Sequence, residues 1–92
     1  MTTMSVIHPS IFQVIHRFPE QRKEIVNCFN RSESFRVICE DYKQCSEALH
    51  FWSQVDSEES VLRKTEYEEL LQSLECEILL FVRNSGLIHK EI

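Results

Sequence analysis

The chain has 92 residues, and its 10 lysines and arginines against 15 aspartates and glutamates give a formal net charge of -5 at pH 7. A chain of this length forms one small domain that buries roughly 60–65% of its unfolded surface, which leaves little room for a deep catalytic cleft. One glycine and two prolines are too few for a β-sandwich or barrel, which has turn residues about every 8–12 positions.

Two short helices are predicted before residue 31. Pro9 suits the first turn of one helix, and Pro19 interrupts it and can open the next. Apolar residues follow each proline at helical spacing: Ile11, Val14, Ile15 and Phe18, then Ile25, Val26, Cys28 and Phe29. Helices of about ten residues are marginal on their own in water, so we expect both to pack against the rest of the chain.

A long helix is predicted next, because large apolar residues recur in alternating steps of three and four: Phe35, Ile38, Tyr42, Cys45, Leu49 and Trp52. This spacing is that of a coiled-coil seam, and it does not fit the alternation of a strand. We predict a helix over residues 32–54, about 33 Å long at about 1.5 Å per residue. Its start has two candidate caps, either Asn30 with Glu33 three residues later, or Ser32.

A second seam follows in steps of four and three: Tyr67, Leu71, Leu74, Ile78 and Phe81. The stretch between the seams has no apolar pattern, and Asp56 with Glu59 has the spacing of a capping box at a helix start. At the other end Gly86 suits a left-handed residue just past the helix, with Leu87 folding back onto the last turn. We therefore predict a helix over residues 58–85.

The connection between the two long helices is short, so they must be antiparallel neighbours. The predicted fold is all-α: an antiparallel helical hairpin with a coiled-coil-like seam, over about residues 32–54 and 58–85, capped by one or two short N-terminal helices. We expect residues 1–92 to form a single small domain, with residues 1–8 and 88–92 as flexible ends.

Residues 76–82 are apolar nearly all round the second long helix, with Cys76 and Leu80 opposite its seam. Because a helix that is apolar all round is buried all round, we expect the N-terminal helices to enclose this end of the hairpin. The most buried side chains are predicted to belong to the seams: Tyr42, Leu49, Leu71, Leu74, Ile78 and Phe81.

The run from Cys39 to Tyr42 is the most enzyme-like stretch. Successive helix positions diverge by about 100°, so Glu40 and Asp41 do not converge on one substrate atom. A buried Tyr42 hydroxyl needs a hydrogen-bond partner, such as a carboxylate or carbonyl of the facing helix. We therefore predict no catalytic residue, no cofactor-binding residue and no enzymatic activity.

The four cysteines show no CxxC pair and no zinc-finger spacing: Cys28, Cys39, Cys45 and Cys76. The first ten residues lack the basic and apolar regions of a signal peptide. The expected setting is therefore a reducing cytoplasm, where cysteines stay thiols and pack as small apolar residues. Glu47 and His50 have the Glu-x-x-His spacing of bundle metal sites, but the motif stands alone, so no metal site is predicted.

The charges divide the chain unevenly. Residues 1–31 hold four basic and two acidic residues, whereas residues 32–82 hold four basic and twelve acidic residues. Such an acidic segment repels nucleic-acid phosphates and anionic membranes, and no apolar run approaches the roughly 18 residues of a membrane span. Two interpretations of the acids stay open, namely solvated helix faces or a surface for a basic protein.

Four apolar residues near the predicted loop have no partner that the helical pattern provides: Phe51, Val55, Val61 and Leu62. Scattered exposed apolar residues are normal. The alternative is a candidate interaction patch for another protein, or for a second copy in a weak homodimer. Acidic neighbours of this patch would oppose pairing of two copies at low salt and relax as salt screens them.

Two segments carry a resemblance to other proteins: FRVICEDYKQCSEALHFW at residues 35–52 and EYEELLQSLECEI at residues 66–78. They resemble a group of small bacterial helical-hairpin proteins with no assigned activity, over about residues 11–83. Because these segments consist mainly of seam residues, the resemblance implies a hairpin and a bacterial cytoplasmic setting, and it brings no site residues.

The expected function is a non-enzymatic protein-interaction or regulatory module. The alternative, from a different class, is a thiol- or metal-linked sensor that uses some of the four cysteines. The two hypotheses differ in cysteine chemistry, because a sensor needs an accessible thiol of low pKa, whereas core cysteines react only after unfolding.

Overall fold

The computed structural model describes the backbone of residues 9–90 and the side chains of residues 9–84. The elements of that part are all helical, in this order: α1 (Pro9–Arg17), a 3₁₀ turn (Pro19–Gln21), α2 (Arg22–Arg31), α3 (Glu33–Ser53) and α4 (Glu58–Lys90). The most extensive helix contact is between α3 and α4. The predicted all-α hairpin with two short N-terminal helices is therefore confirmed, while the flexible end expected at residues 1–8 lies outside the described residues.

The starts of both long helices are capped by serines. Ser32 Oγ accepts a hydrogen bond from the Phe35 N–H at 3.1 Å, which selects Ser32 over Asn30. At α4, Ser57 Oγ accepts from the Ser60 N–H at 3.1 Å, and Ser60 Oγ accepts from the Ser57 N–H at 3.2 Å. This reciprocal pair is a capping box with serine in the place of glutamate, so the predicted cap of Asp56 with Glu59 is wrong by one position.

The end of α4 also differs from the prediction, since the helix continues through Gly86 to Lys90. A glycine inside a helix costs only about 1 kcal/mol relative to alanine, so a single glycine does not force a stop. Residues 88–90, expected to be part of a flexible end, continue the helix, and residues 91–92 lie outside the described residues. The predicted position of the Leu87 side chain lies outside them as well.

The core lies where all four helices meet. Val14 of α1, Ile25 of α2, Phe35 of α3 and Ile78 of α4 are fully buried in one apolar cluster. The Phe35 and Phe81 rings lie 5.2 Å apart between centroids, which pairs the start of α3 with the end of α4. This pairing is the one expected of an antiparallel hairpin.

The predicted core is confirmed in part. Tyr42, Leu74 and Ile78 are buried, whereas Leu49, Leu71 and Phe81 are only half-buried. In α3 the buried apolar residues stop at Cys45, and in α4 they begin at Leu74. Beyond them, toward the loop, Gln13 of α1 still lines a cavity with Ser46, Glu47 and His50 of α3, but no apolar residue described there is buried.

The prediction that residues 76–82 are enclosed on all sides is wrong. Val82 is buried, but Cys76 and Leu80 are exposed. α1 packs mainly on α3, and α2 packs on α4 and the beginning of α3. Two helices of about ten residues cover one face of the hairpin. The end of α2 reaches the edge of the other face, most of which stays open.

No helix in the described part of the chain has both the length and the apolar composition that crossing a membrane requires.

Candidate functional site

A first cavity of about 520 Å³ opens between the end of α2, the start of α3 and α4. Its apolar lining comes from all three helices: Cys28, Ile38, Leu80 and Phe81. Polar and charged residues complete the lining: Arg31, Ser32, Glu77 and Asn84. The cavity therefore has an apolar floor and a polar rim, the usual make-up of a binding site.

A second cavity of about 280 Å³ lies between α3 and α4 alone. It is lined by residues of both helices: Asp41, Gln44, Cys45, Ala48, Tyr67, Leu70 and Leu74. Ile38 of the first cavity is one turn from Asp41, and Glu77 is one turn from Leu74. The two cavities thus follow each other along one face of the hairpin, and we refer to them together as the α3–α4 groove.

The α3–α4 groove lies on the face that α1 leaves open. Glu75 points toward α1, where it pairs with Arg17. At about 100° per residue, the direction of Glu77 differs from that of Glu75 by about 160°, so Glu77 points to nearly the opposite side of α4. Along α3 the lining extends from residue 32 to residue 48, a distance of about 24 Å at 1.5 Å per residue. The groove is therefore long and shallow rather than a compact pocket.

Large apolar side chains stand exposed along the α4 side of the groove. Leu70 is 48% exposed and Leu80 is 54% exposed, while Leu74 between them is buried. An exposed apolar strip with a polar rim is a feature that marks interaction sites on small soluble proteins.

Two of the charged residues that line the α3–α4 groove are acidic, Asp41 on α3 and Glu77 on α4, and one is basic, Arg31. Within the described part of the chain, neither acid takes part in an ion pair. Other acids of the hairpin do have internal partners, since Glu47 pairs with Lys43 at 2.9 Å. Among the described residues, the middle of the groove therefore presents negative charge that no ion pair neutralises.

The covered face carries a polar network. Tyr42 Oη donates to Glu75 Oε2 at 2.9 Å, and Arg17 Nε donates to the same oxygen at 3.0 Å. These bonds join α1, α3 and α4. They confirm that the Tyr42 hydroxyl has a partner on the facing helix, and of the two predicted kinds it is the carboxylate. Burial, together with the hydrogen bond to Glu75, raises the pKa of Tyr42, so this phenol stays protonated and serves to hold the helices together.

Three of the four cysteines, Cys28, Cys39 and Cys45, are buried, and Cys76 is exposed. Burial, with a smaller effect of the neighbouring Cys28 thiol, raises the pKa of Cys39 to about 12. Burial also raises the pKa of Cys45, whose Sγ donates to the Tyr67 carbonyl at 3.4 Å. Since the thiolate is the reactive form, these thiols have the chemistry of packing residues.

The described residues contain no group of three or more histidine, cysteine or acidic side chains arranged to hold a metal ion.

The four residues predicted as an interaction patch lie around the tip of the hairpin. Phe51, Val61 and Leu62 are 58%, 62% and 60% exposed, and Val55 is half-buried. The Phe51 ring meets the Trp52 ring edge-on, with 5.2 Å between centroids. By helical position Phe51 points away from α4, and Val61 and Leu62 point away from α3, so the four residues surround the tip.

Comparison with known proteins adds no family to this geometry: no protein-family model, no curated protein and no solved structure matches the chain. The α3–α4 groove was not predicted from the sequence. The sequence feature that could have indicated the groove is the position of Leu80 off the seam, together with Leu70 at the edge of the seam. The apolar pattern alone does not tell which off-seam residues α1 and α2 cover.

Proposed function

We propose that this protein is a non-enzymatic interaction module that binds another protein through the α3–α4 groove and acts as a regulator or adaptor. The observation that carries the proposal is the groove itself, with its apolar floor and its exposed Leu70 and Leu80. A surface of this kind is suited to the apolar face of a helix, which packs between two helices in the way a further bundle helix would.

The chemistry of the rest of the molecule supports binding rather than catalysis. The Tyr42–Glu75–Arg17 network lies on the covered face, and its tyrosine holds its proton. The four free thiols fit a reducing compartment, and we propose a cytoplasmic setting. We also propose that the protein is related to the small bacterial hairpin proteins that its sequence resembles.

Site-specific photo-cross-linking in the cells that naturally make the protein tests the proposal. A benzophenone amino acid is placed at Leu70, at Leu80 and, as the matched control, at Gln72, which is exposed on α4 outside the groove lining. We expect discrete cross-linked products at both groove positions and none at the control. Partners are identified by mass spectrometry, and each must bind the purified protein.

Equal cross-linking at Leu70, Leu80 and Gln72, or products from the hairpin tip alone when the probe is placed at Phe51, would contradict a binding role of the groove. The second outcome would assign the interaction to the predicted tip patch instead.

Thiol titration examines the sensor alternative directly. We expect Cys76 to react quickly in the native protein, and the three buried thiols to react only at the rate of unfolding. A second fast thiol, traced to Cys28, Cys39 or Cys45 by peptide mapping, would favour a thiol-linked sensor over an interaction module.

A further inference from the structure

We infer that the occupant of the α3–α4 groove is a basic amphipathic helix of another protein, about 16 residues long. The inference rests on the proposed interaction function and specifies the chemistry of its partner. It follows from three properties of the groove, namely its length, its apolar floor and its uncompensated acids.

The shape of the groove selects a helix. The lining follows α3 for about 24 Å, which corresponds to about 16 residues of a partner helix at 1.5 Å per residue. Apolar residues recur along the floor from Phe81 and Ile38 at one end to Leu70 and Ala48 at the other. Anchors spaced three and four residues apart on one helix face would contact this floor along its whole length.

The charge of the groove selects a basic helix. Asp41 and Glu77 line opposite sides of the groove, one on each helix, and neither has an ion-pair partner among the described residues. By contrast, two other acids of α4 have an ion-pair partner. The guanidinium of Arg63 lies 3.5 Å from Glu59 Oε2 and 3.1 Å from Glu66 Oε1. Lysines or arginines that flank the apolar face of a bound helix would reach both free acids and speed the encounter.

Arg31 does not oppose this assignment. It lines the end of the groove beside Ser32 and Asn84, beyond the two acids. Only the terminal turn of a bound helix would lie next to it. A helix C-terminus, which carries partial negative charge, would be accommodated there.

A second copy of the chain fits the groove less well than a basic helix does. Residues 32–82 hold twelve acidic and only four basic residues, so the long helices of a copy would bring further acids against Asp41 and Glu77. Like charges brought together in an interface oppose binding. Charge complementarity therefore favours a foreign basic helix.

A displayed library of 18-residue peptides tests the inference. Every peptide carries leucine at one helix face, and every remaining position is lysine or glutamate at random. Selection on the purified full-length protein is expected to enrich lysine over glutamate. The best peptide is then synthesised, and its dissociation constant is measured by fluorescence anisotropy at low and physiological salt.

Matched variants locate the binding site. Leu70→Glu and Asp41→Lys are expected to weaken the selected peptide at least tenfold. Glu68→Lys changes the net charge by the same amount as Asp41→Lys, but at an exposed position outside the groove lining. It is expected to weaken binding less than twofold. Circular dichroism and thermal melting confirm that each variant is folded, which the exposure of all three positions favours.

The outcomes separate the inference from the proposed function. Peptides that lose binding with Leu70→Glu but show no lysine enrichment overturn the basic helix and leave the groove as a binding site. Three results overturn the inference: no peptide whose binding depends on the groove, binding only after removal of residues 1–8, or a dimer that Leu70→Glu dissociates. The second and third assign the groove to a segment of the same chain or to a second copy.

Discussion

The two faces of the α3–α4 hairpin carry similar apolar side chains but have different neighbours. On the covered face, Ile78 is fully buried in one cluster with Val14 of α1 and Ile25 of α2. On the open face, Leu70 and Leu80 remain about half exposed beside a groove. The short helices therefore stabilise the fold from one side, so the other side is available for a partner.

The largest effect is expected in stability, between a buried and an exposed position of α4. Leu74→Ala removes a buried side chain and should lower the free energy of unfolding by about 2–5 kcal/mol. Leu80→Ala makes the same chemical change on the same helix at a half-exposed position, and it should cost less than about 1 kcal/mol. Urea unfolding followed by circular dichroism measures both. Equal costs would mean that the assignment of buried and exposed positions along α4 is wrong.

A second matched pair tests the polar network. Tyr42→Phe removes the hydrogen bond to Glu75 and is expected to cost about 1.5 kcal/mol, the lower end of the range for bonds to charged groups, because Arg17 still pairs with the carboxylate. Tyr67→Phe, beside the groove, removes a hydroxyl that has no hydrogen bond within the described residues and should change stability by less than about 0.5 kcal/mol. A larger loss of stability for Tyr67→Phe than for Tyr42→Phe would contradict the assignment of the stabilising hydrogen bonds to the covered face.

Alkaline pH should weaken the covered face. Burial raises the pKa of Cys39 from 9.0 to about 12, so the folded protein retains this proton at a pH where the unfolded chain loses it. The contribution is fully present below pH 9 and is lost as pH rises toward 12. Tyr42, whose pKa is also raised from 10.0, acts in the same direction above pH 10.

Urea unfolding of wild type and two variants between pH 7 and 11 measures this effect. Cys39→Ala should show a shallower loss of stability with pH than wild type, whereas Cys76→Ala, at the exposed cysteine, should follow wild type. Identical slopes for all three proteins would exclude the buried thiol as a source of alkaline sensitivity.

The smallest effect is expected at the hairpin tip. Pairing of tips would bury Phe51, Val61 and Leu62, but association costs of about 4–15 kcal/mol offset most of that gain. We predict a weak monomer–dimer equilibrium that shifts toward dimer with salt, because acids such as Glu58 and Glu59 border the patch. Sedimentation equilibrium compares wild type with Phe51→Glu. Equal masses for the two proteins at every concentration and salt would show that the tip is ordinary surface.

The sequence predicted the long helices well because each has one continuous seam. The predicted start of α3 agrees with the Ser32 cap. A carboxylate or carbonyl partner for the Tyr42 hydroxyl was anticipated from the cost of burying a hydroxyl. The end of α4 was predicted wrongly, because one glycine is a weak signal for the end of a helix. The serine cap at Ser57 was missed because Asp56 with Glu59 fits the same motif one residue earlier.

The α3–α4 groove could not be predicted for a different reason. Periodicity tells which side chains share a helix face, but it does not tell on which side of the hairpin α1 and α2 pack. Leu79 and Leu80 have equally apolar side chains, yet Leu79 is half-buried and Leu80 is exposed. Tertiary placement of two short helices decides that difference.

The most direct test of the central claim is methyl NMR of the protein with the selected lysine-rich peptide. We predict that methyl resonances of Ile38, Leu70 and Leu80 shift as the peptide is added, while those of Val61 and Leu62 at the tip and Val14 beneath the covered face stay in place. Shifts confined to the tip methyls, or no shift at the groove when the peptide is bound, would contradict the assignment of the open face as the interaction surface.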